Sequence, residues 1–450
     1  MATIRATMLV DGGVFDNTEH FQHLFHSLGE GDELIIPPGI YATGALTLEK
    51  HYVTITLEKE CRIQFIPEPE LYPPVYTRWE GVNCWAMQPA FLIADSTHIH
   101  LRGEGVLDGG GSWWWEQAAI KKKQPKPITD LEHSFARLNP GFEEQASGGG
   151  GRKSQFLRPP LLQIYQSRNV HVSGITLQNS PFWTLHPLYS KRLTIEDITI
   201  INPKDAPNTD GIDIDSCNDV VVRNCFVDVG DDGIAIKSGS GSDGVATARP
   251  TVGVVIEGCT VQNAHGGAVI GSETAAGVRD VFVQRCLFDG TDRGIRIKTR
   301  RGRGGEITNV HFRSLTMKDN LCPVAVNMYY RPGSNDPGLF SLDPQPILDT
   351  TPSISNILIE ECTAVGATSS AGFIVGLPEE PIRNVRIAHS SFSVSQENVT
   401  AIEESEMYEG LPAISKRGIR LRNIHLHLED VEVLGVEVGF VIEDGVVFTS

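Results

Sequence analysis

The sequence predicts an all-β fold, a single parallel β-helix solenoid, and three observations predict it. First, a strand opening recurs along most of the chain: Asn169-Val170-His171-Val172, Arg192-Leu193-Thr194-Ile195, Asp219-Val220-Val221-Val222, and again from Gly253, Asp280, Asn309, Asn356 and Asn384. Successive openings lie about 23 to 34 residues apart, with one interval of 47. Two or three short strands and their turns fill such a period, which is one coil of a β-helix. Second, 45 glycines against 6 Trp and 9 Tyr, with Val and Ile frequent, suit short strands closed by tight turns. Third, polar groups recur at one place in four successive copies, starting at Asn208, Gly230, Ala264 and Asp292. A leucine-rich repeat would space its leucines differently, and a propeller blade needs a longer period.

Taken in order, residues 17–28 put Phe21, Leu24, Phe25 and Leu28 on one helical face, with Asn17 or Thr18 placed to cap it. A lone amphipathic helix ahead of many strands reads as the lid of a solenoid end, which would otherwise expose unpaired edges. Alternating strands follow near 41–48, 52–57 and 98–108. Residues 112–157 then break the rhythm with Trp113, Trp114 and Trp115, the run Lys121 to Lys123 and a glycine tract from Ser147 to Gly151. They are expected to form a long loop with a functional role. A Pro/Gly/Asp-rich stretch, 331–352, accounts for the long interval. One domain spanning 1–450 is expected, because a solenoid can absorb any length. Cys225, Cys259, Cys286 and Cys362 each lie six residues into a repeat, where other copies carry Ile175, Ile198 or Leu315. They are expected to be stacked core thiols. The remaining four match no zinc or redox spacing.

A net charge of −18 argues against nucleic acid as the main partner and sets off the basic stretch Arg293 to Arg303. No apolar run has membrane-spanning length. Met1 to Gly13 holds one short apolar piece, Met8 to Val10, and no cleavage-like site. The expectation is therefore a cytoplasmic protein, or a secreted or periplasmic one if a leader has been trimmed.

Aligning the coils on Ser216, Ser238, Ser272 and Thr299 stacks Asp215, Lys237, Gly271 and Lys298. Asp210 then stacks with Asp232, and Thr209 with Asp231 and His265. Rungs lie about 4.8 Å apart, so three carboxylates, an imidazole and two outward cations, Arg296 and Lys298, are expected on one face. Carboxylates so crowded cannot all ionise at their usual values, and one keeps a proton near neutral pH. A proton donor beside a carboxylate that activates water is what glycoside hydrolysis requires. Paired Arg and Lys suit a uronate rather than a neutral sugar, and Arg300, Arg301 and Arg303 would add a field attracting a polyanion. Asp213, Asp215, Asp219 and Asp228 are read as solvated or turn carboxylates, and His186 as scaffold. The Trp113 to Trp115 run either pins the loop or stacks on sugar.

These residues resemble glycoside hydrolase family 28, the polygalacturonases and their pectin-degrading relatives, in the bacterial and plant-type branch. The likeness rests on Asn208-Thr209-Asp210, Gly230-Asp231-Asp232, His265-Gly266 and Arg296-Ile297-Lys298, with the run 180–187 in support. The resemblance implies a right-handed β-helix and inverting hydrolysis of α-1,4-galacturonosyl bonds in pectate or oligogalacturonides. It implies Asp231 as general acid and Asp210 and Asp232 as the groups activating water. His265 would hold the carboxylates or the leaving sugar. Arg296, Lys298, Asn208 and Tyr330 (with Tyr329 the alternative) would bind substrate, with no metal and no cofactor. Two departures stand out: Ala264-His265-Gly266-Gly267 where the family has Gly-His-Gly, and Gly233 where it usually has Cys.

Three rival readings stay open. A Ca²⁺-dependent pectate lyase would draw oxygens from the acidic stretch 205–232. A non-catalytic sugar-binding β-helix would not need Asp231. A rhamnogalacturonan or xylogalacturonan hydrolase would use the same scaffold. The insertions at 112–157 and 331–352 can wall off a groove, so exo action is expected. Oligomeric state is left open.

Overall fold

The computed structural model describes residues 1–145, 151–334 and 336–449, apart from the side chain of Glu406; Ser147 to Gly150 of the glycine tract lie outside the described residues. The chain forms two compact units, Met1–Trp79 with Asn83–Asp231, and Glu80–Val82 with Asp232–Ser450. Each is a stack of parallel β-coils.

In the first unit, strands Leu46–Leu48, Phe91–Ala94, Leu162–Tyr165, Leu185–Leu188 and Ile212–Asp215 pair in succession, all parallel. A second ladder runs through His51–Leu57, Thr97–Gly103, Arg168–Ser173, Lys191–Glu196 and Asn218–Arg223. Its register is the one the repeat dictates, with Val170 opposite Leu193 and Leu193 opposite Val220. A slip of one residue would turn these buried side chains outward. Asn169, Arg192 and Asp219, each the second residue of its strand and the first of the repeated run, take positive φ of 54–57°. Asn and Asp tolerate that region better than other side chains, which explains the recurring opening letter.

The second unit repeats the plan. Asp232–Lys237, Gly266–Gly271, Arg293–Lys298, Cys322–Asn327, Gly372–Val375 and Ile419–Arg422 form one parallel ladder. Thr251–Glu257, Val278–Gln284, Glu306–Arg313 and Ser353–Glu360 form another. The inward row Ile234, Ala268, Ile295 and Val324 is buried, as are the repeat cysteines Cys259, Cys286 and Cys362, and Cys225 in the first unit is buried too; all are free thiols.

Helix α1 covers Thr18–Ser27 and buries Phe21, Leu24 and Phe25. Asn17 is its N-cap residue, as expected, but the Asn17 side chain makes no capping bond. The Asn17 side chain is buried and donates to the carbonyls of Val10 and Phe15, while Asp16 accepts from the Thr18 N–H at 2.9 Å. The 112–157 excursion also differs from a plain loop. It contains α2, Ser112–Lys123, α3, Asp130–Leu138, and α4, Gly151–Ser154. A full capping box between Thr129 and Glu132 starts α3. Lys121 is buried against Glu132 at 2.5 Å rather than solvated. Trp114 is fully buried, edge-on to Tyr72, and pins the excursion. No helix among the described residues is long and apolar enough to cross a membrane.

Candidate active site

In the first unit the site begins at the turn carrying Asn208, Thr209 and Asp210. Asn208 sits at φ 56°. Its Oδ1 accepts from Arg158 Nη2 at 2.8 Å, and Arg158 Nη1 donates to the Pro207 and Pro181 carbonyls at 3.0 and 2.7 Å. The Thr209 hydroxyl donates to the Ala206 carbonyl at 2.9 Å, and Asn202 bridges Thr184 and the Thr209 carbonyl. The turn is thus clamped from both sides. Asp210 is buried at its end. Asp231 arrives beside it because of the glycine before it. A Cβ on Gly230 would stand 2.6 Å from the Lys204 carbonyl and 2.8 Å from that of Pro203. Only a glycine lets the chain pass so close under the 203–206 turn. Carboxylate oxygens of Asp210 and Asp231 consequently lie within 4.8 Å of each other.

Asp232 is the next residue, and it opens the second unit's first strand. It is 1 % exposed; Arg296 Nη1 donates to its Oδ1 at 2.7 Å and Lys298 Nζ to its Oδ2 at 2.6 Å. Burial alone would push this carboxyl up. The charges of Lys298, Arg296 and Lys237 outweigh it and hold Asp232 below the ordinary carboxylate value of 3.8.

The register explains how Arg296 reaches so far. Asp232 pairs with Gly266, and Arg296 pairs with Val269, three positions further along. The Arg296 side chain therefore runs back over Gly266, where a Cβ would stand 3.0 Å from its Cδ. Position 233 and its equivalents point the other way. Added Cβ atoms would stand 2.4 Å from Val261 at Gly233, 2.4 Å from Phe288 at Gly267 and 2.3 Å from Met317 at Gly294. Three stacked glycines face the core there.

Arg296 and Lys298 both lie over the Tyr330 ring, at 5.9 and 5.4 Å from its centroid. Such distances are within cation–π reach. Tyr329, the alternative, is fully buried beside Arg301. The His265 imidazole is exposed, and its backbone carbonyl accepts from Arg296 at 3.5 Å.

Other expectations change. Asp213 and Asp215 are fully buried, not solvated. Arg78 Nη1 donates to Asp215 at 2.7 Å, and burial, which raises the Asp215 carboxyl, is outweighed by Arg78 and His186. His186 is buried against Gln163, as scaffold. Arg301 adds no free field, since Glu379 holds it through two contacts of 2.6 and 2.8 Å.

Some site residues carried no local signal. Arg293 is buried and donates to the Ser405 and Glu404 carbonyls, pinning the segment that brings Met407 Sδ to 3.2 Å from Arg296. Glu273 holds Lys237 at 3.1 Å and is itself held down to about 2: burial raises it, and Lys237, Arg303 and Lys298 overcome that.

The family model for glycosyl hydrolases family 28 matches residues 145–369. A probable polygalacturonase of Vitis vinifera is 30% identical over 398 residues, covering 85% of this chain and 73% of that protein. The chain belongs to glycosyl hydrolases family 28.

Among solved structures, an exopolygalacturonase from Thermotoga maritima matches at a TM-score of 0.79 and 26% identity, over 97% of this chain and 93% of that one. A family 28 exopolygalacturonase of Yersinia enterocolitica shares the fold at 0.73 and 19% identity, over 99% and 77%. The coils are therefore those of a right-handed parallel β-helix, and the chain is a family 28 glycoside hydrolase. Both departures from the family pattern are structural. Gly233 and Gly267 fill inward positions without room for a side chain, and the buried Ala264 precedes His265 without entering the site.

Proposed function

We propose that this hydrolase cleaves α-1,4-galacturonosyl linkages of pectate or oligogalacturonides, from the chain end. The observation that carries the reading is Asp232, a buried carboxylate with one oxygen on Arg296 and the other on Lys298. Both cations also overlie Tyr330, a site suited to the carboxylate of an acidic sugar. Asp231, half-buried, is the general acid, because repulsion from Asp210 within 4.8 Å favours a proton on one of the two. Asp232, kept ionised by its cations, and Asp210 activate the water. His265, exposed, steadies the leaving sugar, and Asn208, held by Arg158, is a substrate-binding residue. Inversion is carried by the family resemblance and not by distance, since most inverting pairs stand roughly 6.5–9.5 Å apart. The anomer released first, read by proton NMR, decides it.

Exo action is supported by the first unit. On its Leu162–Tyr165 and Leu185–Leu188 strands, Gln163 and His186 are buried against each other, and Trp183, in one stack with Phe182 and Trp79, lies edge-on to His186 and walls these coils. The similar Thermotoga maritima structure is that of an exopolygalacturonase, which supports the same mode. Monogalacturonate should accumulate from polygalacturonate while viscosity falls slowly. Rapid viscosity loss before much sugar appears would refute the exo mode, and unsaturated products lost on adding EDTA would favour a lyase. A lyase is disfavoured because His265 and Arg296-Ile297-Lys298 follow the hydrolase pattern.

A further inference from the structure

Beyond Lys298 the same coil continues into Arg300 and Arg303. Arg300 is only 4% exposed, yet among the described residues its guanidinium makes no ion pair or hydrogen bond. A buried cation without a partner is costly, and proteins seldom keep one without a use. Arg303 is buried as well, with only long contacts: Glu273 at 3.5 Å, the Ser240 hydroxyl at 3.4 Å and the Pro332 carbonyl at 3.5 Å. Glu273 is engaged more closely by Lys237, at 3.1 Å.

The two guanidinium groups converge despite their like charge. A Cβ at Gly333 would stand 3.4 Å from Arg303 Nη2 and 3.7 Å from Arg300 Nη2. Gly333 has a φ of 84° and carries no side chain to fill that space. Burial, and then the charge of Arg303, lower Arg300 to about 10, so it stays charged at any working pH. Two fixed cations facing one small gap make a cradle for a carboxylate.

We propose that Arg300 and Arg303, converging on Gly333, form a second carboxylate site, taking the uronate next beyond the sugar seated on Arg296 and Lys298. The assignment rests on the polygalacturonase reading above, and binding can be tested apart from turnover. In an Asp231→Asn background, calorimetry would compare digalacturonate, which reaches one sugar to either side of the cut, with trigalacturonate, which adds the further one. The trimer should bind about tenfold tighter or more, as a charge-assisted contact provides. Arg300→Gln should abolish that gap, and Arg303→Gln should narrow it, providing a second route if the first variant fails to fold.

Equal weakening of both oligomers by Arg300→Gln would mark a structural role and overturn the assignment, as would a gap the substitution leaves intact. Competition by inorganic phosphate against the trimer alone would point to a free-anion site and also overturn it. Tight binding of both oligomers with no gap sinks only this inference. If neither oligomer binds, the polygalacturonase reading itself falls.

Discussion

Asp232, Arg296 and Lys298 are mutually dependent, because all three are buried and both cations pair with the one carboxylate. Asp232→Asn would leave two cations buried opposite an uncharged amide, at a cost of about 3–5 kcal/mol; urea unfolding should report that loss. Asp231→Asn, at a half-buried position, should instead lower kcat by about 10²–10⁴-fold while the urea midpoint stays near that of the wild type. A matching loss of stability in both variants would mean that Asp231 is structural. Glu273 offers a test in pH. Its folded value is held at about 2 against an ordinary 4.5, so its contribution is complete above 4.5 and lost as pH falls towards 2. The stability gap between wild type and Glu273→Gln should close over that window in urea titrations; a gap constant with pH would contradict the ion-pair account.

Each coil positions chemistry through its glycines as much as through its charged residues. Gly266 leaves the track along which Arg296 returns to Asp232. Gly266→Ala should displace Arg296 by roughly an ångström and lower kcat/KM by as much as about 10²-fold. Steady-state kinetics beside an unchanged circular dichroism spectrum would show it, and wild-type kinetics would refute the track. The coil register was legible in the sequence because inward and outward residues alternate, so one closing Ser or Thr aligns the next strand. The buried state of Asp215 was not legible, since its partner Arg78 lies 137 residues earlier. The helices of the 112–157 excursion had a local signal, the Thr129–Glu132 capping box, but broken apolar periodicity concealed them.

A chain with net charge −18 that gathers cations around its site should bind a polyanion in a salt-sensitive way. KM for polygalacturonate should rise with sodium chloride while kcat changes little, measured by reducing-end release. A KM independent of salt would detach the cation cluster from substrate binding.

The sequence by itself determined the parallel coils, the carboxylates at 210, 231 and 232, and the cations at 296 and 298. These depend on a repeat of near-constant period, and such a repeat carries its own register. Tertiary structure alone decided which charges are occupied and which are available. Glu379 neutralises Arg301, Arg78 buries Asp215, and Arg300 keeps a buried charge with no partner among the described residues. Each of these pairings joins or separates residues far apart in the chain, and no local pattern encodes a contact that forms only when distant segments pack together.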